Sequence, residues 1–542
     1  MKELPISEQD FSEIITKNLL YIDKTKVIYD IITKGKSYFL SRPRRFGKSL
    51  LLSTFKEIFG GHRELFKDLW LGCESDYDFM AYPIIYLDMA LDSDSPEDLK
   101  ISLLDVLQEI AESESLKISA PTVGRAITRL IKALAKKYGT KVVILIDEYD
   151  DPVSSHILNP SLALANRGVL RPFYSAIKSN SGDLRFLFVT GVTRFALMGF
   201  SGGQNQLDDI SYDDKYADIC GFTIDEFDKY LGSRLSHVLD KLKAKGRRVP
   251  GATVKELRQD ILYWYDGYTW DGKTRLLNPV SVLKLLEKGE FSEYWLATSA
   301  SLDFLRLVMA NDPLDFTGDK LTDVQVLDVG WAEVGQLKSV PTLLQTGYLT
   351  IKDITYESKD KRKYQLTVPN FEVSASYNQI FSDGLFNFLK KNPKIETSVL
   401  SEAISRRDPE MLMTILNSLY CAVPAILHSD VESFYHSVLF GYCFNLTIKP
   451  DSEQPGGKGT PDLVLRMPDG QCAILELKYA KATNDIDQSP KKKKALMAKK
   501  AKEALEAIAA KKYAVPYQAH HDSIMSIGIG VYGRGECLVL LA

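Results

Sequence analysis

Apolar and polar residues change rhythm several times along the chain, and each change predicts a different kind of element. Ser37-Tyr38-Phe39-Leu40-Ser41 is a short strand-like run, and positions 50–59 repeat apolar residues at helical spacing. Val142-Val143-Ile144-Leu145-Ile146 is continuously apolar and runs into Asp147-Glu148, the pattern of a strand covered on both faces. Residues 83–89 supply a strand between these two, and 185–191 another after them. Buried strands alternating with helices predict an α/β fold on a parallel sheet. From Gly221 the pattern turns helical through about residue 290; Thr223 followed by Glu226 is a capping-box signature, and Trp264 and Tyr268 are expected in the core.

Further on, 340–344 suits a helix, while 348–354 and 364–368 alternate as two strands around Ser358-Lys359-Asp360-Lys361-Arg362-Lys363. Helix followed by a basic-tipped hairpin predicts a winged-helix-like middle region. Its tip either meets backbone phosphate or is a solvated turn, and the basic run at 241–248 is open in the same way. Residues 432–446 return to helical spacing, with Glu432 and His436 four apart on one face. Strands at 444–448, 462–465 and 473–479, a helix at 489–510 and strands at 523–531 and 537–541 predict a second α/β core. The expected domains are 1–220, 221–290, 291–375 and 376–542.

At 542 residues the chain is long enough for about three or four cores. A net charge of −3 excludes a uniformly basic protein, so any nucleic-acid contact must come from local patches. Six cysteines without Cys-x-x-Cys spacing fit reduced thiols rather than a disulfide framework or structural zinc. Met1-Lys2-Glu3-Leu4-Pro5 has no apolar signal core, and no run reaches the ~20 residues that span a bilayer, so a cytoplasmic, non-membrane protein is expected.

Between the first strand and helix lies Arg42-Pro43-Arg44-Arg45-Phe46-Gly47-Lys48-Ser49, ending in the Gly-Lys-Ser of a phosphate-binding loop. Backbone N–H groups across Arg45, Phe46, Gly47, Lys48, Ser49 and Leu50 would face phosphate oxygens, Lys48 would reach the β- and γ-phosphates of ATP, and the Ser49 hydroxyl would ligate magnesium. The full pattern has glycine where this chain has Arg42, and a plain basic turn is the alternative. Asp147 would hold magnesium through water and Glu148 would polarise the attacking water, unless the two merely end a strand as solvated acids. Thr190, Thr193 and Arg194 sit at the end of the strand at 185–191; they either sense the γ-phosphate or cap a loop.

A second constellation combines Gly459-Thr460-Pro461-Asp462 with Glu476-Leu477-Lys478. Glu476 and Lys478 are two apart on a strand and share a face, beside Asp462 on the adjacent strand. Asp462 and Glu476 would bind magnesium (manganese as a substitute), with the Leu477 carbonyl a third ligand, while Lys478 steers or deprotonates the attacking water. His436 is either an accessory ligand or phosphate contact, or a satisfied half-buried histidine. Lysines 491–494, 499, 500 and 502 on the following helix would meet DNA phosphates or form a solvated face.

Tyr21-Ile22-Asp23-Lys24-Thr25, Arg42 to Ser49 and Asp147-Glu148-Tyr149-Asp150-Asp151-Pro152 closely resemble the AAA-ATPase-like proteins that carry a C-terminal PD-(D/E)xK nuclease module. Trp264-Tyr265-Asp266-Gly267-Tyr268, Gln345 to Thr350 and Val368-Pro369-Asn370 extend the similarity over nearly the whole chain. The resemblance makes Arg42 a family trait. It implies a P-loop ATPase core with a helical lid, joined to a restriction-endonuclease-like α/β domain. A glutamine common in the helix after the lysine is replaced near Ala507. The expected function is ATP hydrolysis joined to magnesium-dependent cleavage of nucleic acid, DNA first, with a role in bacterial defence against foreign DNA. An NTPase switch whose nuclease fold only binds, and a scaffold without catalysis, are the alternatives; a homo-oligomer is compatible with the chain.

Overall fold

The computed structural model describes residues 2–157, 159–194, 207–245, 252–295, 324–325, 339–358, 361–374, 397–422, 432–444, 450–451, 461–466, 471–482, 489–518, 523–533 and 535–542. The chain divides into two compact units, one of residues 1–308 with 322–374 and one of 309–321 with 375–542.

The first unit is organised by five parallel strands, β1 (Ser37–Ser41), β2 (Ile84–Asp88), β3 (Val142–Asp147), β4 (Leu184–Gly191) and β5 (Asp208–Asp209), in the order β2-β3-β4-β1-β5. Every residue of β3 is buried, as its unbroken apolar run requires. On one face Ile85, Leu87, Ile144 and Ile146 meet the apolar stripes of helices Pro96–Ser113, Val123–Tyr138 and Pro160–Ser179. On the other, helix Lys48–Phe59 sets Phe55 and Phe59 against Phe186 and Phe188, with ring centroids 4.8 to 5.3 Å apart. Because β1, β4 and β3 run parallel, the loop after β1 and the acids after β3 open at the same end of the sheet, where ligands bind in such folds.

The helical segment also forms. Thr223 and Glu226 make the reciprocal capping box, and helices Leu235–Ala244, Val254–Tyr265 and Pro279–Lys288 share a core that the N-terminal residues Leu4, Ile6 and Leu20 join. A small antiparallel sheet of β6 (Phe222–Thr223), β7 (Asp266–Tyr268) and β8 (Leu276–Leu277) braces it. Helix Ser339–Thr346 precedes a hairpin of β10 (Thr350–Ser358) and β11 (Lys361–Thr367), as the pattern predicts; β9 (Val324–Gln325) adds an unpredicted third strand. Lys359 and Asp360 at the hairpin tip, and residues 246–248 of the other basic run, lie outside the described residues.

The second unit holds β12 (Pro450–Asp451), β13 (Leu463–Arg466), β14 (Gln471–Ala480), β15 (Ser523–Tyr532) and β16 (Glu536–Leu541) in sequential order, antiparallel except for β14 with β15. Helices Thr397–Ser405, Pro409–Ala422 and Glu432–Phe444 cover one face, and helix Pro490–Ala510 covers the other. That last helix comes close enough that a Cβ on Gly528 or Gly530 would strike the backbone carbonyls of Ala501 and Met497. The strand expected at 444–448 is corrected at its start, since Phe444 closes the helix; 445–448 and the turn at Gly459-Thr460 lie outside the described residues. The described cysteines whose side chains are placed carry free thiols, and no helix among the described residues is long and apolar enough to cross a membrane.

Candidate active sites

Gly47 ends the loop in a left-handed conformation (φ 94°) that a side chain rarely adopts, and it is the N-cap of helix Lys48–Phe59. Leu51 is the first residue whose N–H bonds back into the helix, 3.0 Å from Gly47 O, so the N–H groups of Lys48, Ser49 and Leu50 face beyond its N-terminus. A cavity of about 590 Å³ opens there, lined by Arg44 to Leu51 and Glu148, and is large enough for a nucleotide. Further walls come from residues 5–9, Leu20 to Ile22, Lys24, residues 219–222 and the helix at 279–288.

Lys48 is buried, donates to Pro43 O at 3.1 Å, and is pushed toward its neutral form by burial while Asp147 and Glu148 favour the charge. Asp147 accepts from Thr190 Oγ1 at 2.6 Å and from the Glu148 N–H at 3.0 Å, so its carboxylate is held rigidly at the end of β3. Glu148 takes a left-handed backbone (φ 47°), a strained conformation of the kind found at functional sites. Burial raises its pKa to about 6, with Lys48 opposing the shift. These groups fit a magnesium–nucleotide complex: N–H donors and an ammonium for phosphate, a hydroxyl and a fixed carboxylate for a hard cation.

Arg42 is 1% exposed, donating to the carbonyls of Ser41, Ser211 and Tyr216 at 2.9, 2.7 and 3.3 Å and stacking 4.8 Å from Trp270. It therefore bolts the loop to its surroundings where the usual glycine would leave it loose. Arg194 departs from the phosphate-sensing expectation. Its guanidinium is ion-paired with Asp209, lies over Tyr212, and is not among the groups lining the cavity. Thr193 caps a loop instead, its N–H and hydroxyl donating to Asp150. Tyr268 is buried and packs 4.8 Å from Phe46, so the core assignment holds and the residue also touches the loop.

In the second unit, pairing of Leu463 with Leu475 sets Asp462 beside β14. The Leu477 N–H donates to Asp462 Oδ2 at 2.7 Å, and the Asp462 N–H donates to Glu476 Oε2 at 3.3 Å. Lys478 Nζ lies 3.4 Å from Glu476 Oε1, 2.8 Å from Glu432 Oε1 and 3.0 Å from the Leu477 carbonyl. The His436 Nε2 donates to the Asp462 carbonyl at 2.6 Å, so this histidine anchors the loop that carries Asp462. Burial raises the pKa of Glu476, helped by the Asp462 charge. For Lys478, burial works downward, but the bond to Glu432 and the charges of Glu432, Glu476 and Asp462 outweigh it and raise the pKa. These carboxylates favour the charged form of Lys478, which suits orienting a water or phosphate oxygen. Two carboxylates and a backbone carbonyl match magnesium, which keeps several waters of its own; among the described residues no group of three His, Cys, Asp or Glu side chains forms a metal set. The sequence patterns missed Glu432 as the partner of Lys478, and Lys511, whose charge acts on Glu476 from the end of the helix.

Residues 5–201 match the predicted AAA-ATPase family model, and residues 430–538 match that of the PD-(D/E)XK nuclease superfamily. The chain joins an AAA-ATPase-like domain to a PD-(D/E)XK nuclease superfamily domain. It is also 28% identical over 538 residues to the "Uncharacterized protein in vnfD 5'region" of Azotobacter chroococcum mcd 1, covering 97% of this chain and 96% of that one. The AAA-ATPase-like match spans both β1 with its loop and β3 with its acids, and the nuclease match spans Glu432 to Lys478.

Proposed function

We propose that this chain hydrolyses ATP with magnesium and uses its C-terminal domain to cleave nucleic acid, DNA in the first instance. The observation that carries this reading is that one chain brings together two groups of suitable side chains: Gly47, Lys48, Ser49 and Glu148 line one cavity, and Asp462, Glu476 and Lys478 converge at one sheet end. In the first site the loop N–H groups and Lys48 bind phosphate, Ser49 and Asp147 serve the magnesium, and Glu148 accepts the proton of the attacking water. In the second, Asp462, Glu476 and the Leu477 carbonyl would hold magnesium or manganese, which supplies a more acidic water, while Lys478 orients that water or the scissile phosphate. Lysines 491, 492, 494 and 499 on the neighbouring helix give a basic face for backbone phosphate. The composition fits the cytoplasm; a role in bacterial defence rests on the resemblance alone.

One observation favours a second reading. Lys478 is held by Glu432 and Glu476, and Ala507 stands near the place where the family resemblance implies a glutamine, which suits a nuclease fold that binds without cutting. Incubating the protein with linear, circular and single-stranded DNA and with RNA, with and without magnesium and ATP, separates the two. Cleavage that needs metal supports the first; binding without cleavage supports the second.

A further inference from the structure

The phosphate loop is unusual in having large residues where flexibility is normal, and each of two consecutive ones is tethered to the same short stretch of chain. The Arg45 guanidinium donates to the Tyr294 carbonyl at 2.7 Å, which anchors a residue whose own backbone is left-handed (φ 68°). The Trp295 indole N–H donates to the Arg44 carbonyl at 3.3 Å. Residues 294–295 are pinned in turn: the Trp295 N–H donates to Glu372 Oε1 at 2.8 Å, and the Trp295 ring packs edge-on at 4.9 Å from Tyr348. Glu372 is fully buried and accepts from the Ser281 hydroxyl at 2.9 Å on both oxygens. Ser281 belongs to the helix Pro279–Lys288, whose Pro279, Val280, Leu283 and Lys284 form one wall of the nucleotide cavity. Glu372 itself lines no part of that cavity. One carboxyl thus joins the clamp on the loop to the opposite wall of the site, and it stands three residues before the chain enters the second unit at Ala375.

We propose that Glu372 is a positioning residue for the phosphate loop, acting through Tyr294 and Trp295 on Arg44 and Arg45, and that nucleotide occupancy is felt through this tether at residues 371–374. The proposal rests on the ATP reading above. A buried carboxyl is costly unless its hydrogen bonds are made, so its presence calls for partners such as these. Burial lifts its pKa to about 8, so at neutral pH it is an acid that a glutamine resembles in shape and in acceptor oxygen.

The test compares wild type, Glu372→Gln, Glu372→Ala and Trp295→Phe, the last keeping an aromatic ring while losing the indole N–H. ATP binding is followed by calorimetry and backbone hydrogen exchange by mass spectrometry. Glu372→Gln is expected within about twofold of wild type, whereas Glu372→Ala and Trp295→Phe weaken ATP binding by about tenfold, the effect of one lost buried hydrogen bond. Exchange at 44–46 should quicken in both while β3 and β4 stay protected, and ATP should slow exchange at 371–374 in wild type but not in Trp295→Phe. If Glu372→Ala loses protection throughout the sheet, Trp295→Phe alone decides. Unchanged exchange at 44–46 in Trp295→Phe, or a Glu372→Gln as damaging as Glu372→Ala, overturns the tether. A wild type that binds no nucleotide sinks the ATP reading first, and is seen directly in the calorimeter.

Discussion

Replacing Glu148 with glutamine should abolish ATP turnover while leaving ATP binding intact, and the structure says how the loss should depend on pH. Glu148 lines the cavity beside Lys48, and burial raises its pKa to about 6. A carboxyl with that pKa is about nine-tenths ionised at pH 7 and about one-tenth at pH 5, so its capacity as a base falls nearly tenfold across that interval. Loss of a positioned general base costs roughly 10²- to 10⁴-fold in rate, or about 3 to 5 kcal/mol on the barrier. Binding is served by other groups, namely the N–H donors at the helix start and Lys48, and a neutral amide in place of the Glu148 carboxylate removes a negative charge from the phosphate site. ATP affinity should therefore stay within about threefold of wild type or tighten. Phosphate release measured from about pH 5 to 9 gives kcat/KM, whose acid limb reports the free enzyme's base. Wild type should show a one-proton limb with its midpoint near 6, absent from the residual activity of the variant. Turnover by Glu148→Gln within tenfold of wild type, or an acid limb unmoved by the substitution, would refute the assignment.

Other outcomes follow from the same geometry. Lys48→Ala should weaken ATP binding by at least about tenfold in calorimetry, because the buried amine beside the loop that would meet the terminal phosphates is lost; wild-type affinity would remove Lys48 from the phosphate site. Neutralising Lys491, Lys492, Lys494 and Lys499 should lower nucleic-acid affinity and reduce the slope of log K against log salt by about one for each phosphate that the protein no longer neutralises, and an unchanged slope would leave this a solvated face. Glu372 has a folded pKa of about 8 against an ordinary value of 4.5, so the folded state binds the extra proton between these limits. Its stabilisation is present at low pH and is lost as pH rises toward 8, on the order of 1 kcal/mol per pH unit at most. Urea melts of Glu372→Gln and wild type from about pH 5 to 8 should differ by that slope; parallel curves would count against it.

Much of both sheets was legible because local pattern and tertiary environment agree. The unbroken apolar run of β3 could only be a doubly covered strand, Thr223 with Glu226 capped a helix as its spacing demands, and the two-residue period of β14 put Glu476 and Lys478 on one face. The residues that escaped prediction depend on partners far away in sequence. The burial of Arg42 depends on the carbonyls at 211 and 216, the placement of Arg194 on Asp209, and Glu432 comes into the second site through Lys478. Likewise, residues 5–9 have no motif that announces a cavity wall; packing of Leu4 and Ile6 on the helical segment puts them there. Sequence period finds a side chain's face, whereas the identity of its partner requires the fold.

The most direct test of the whole account is metal-dependent cleavage by purified protein, with Asp462→Ala and Glu476→Ala beside wild type. Labelled DNA and RNA are incubated with magnesium or manganese, with and without ATP, and phosphate release is followed in the same tubes. The account predicts cleavage by wild type that chelation stops, no cleavage by either variant, and ATP hydrolysis retained in both, since the carboxylates at 462 and 476 serve only the nuclease site. Normal cutting by Glu476→Ala, or a wild type that cuts nothing under any of these conditions while still hydrolysing ATP, would contradict it.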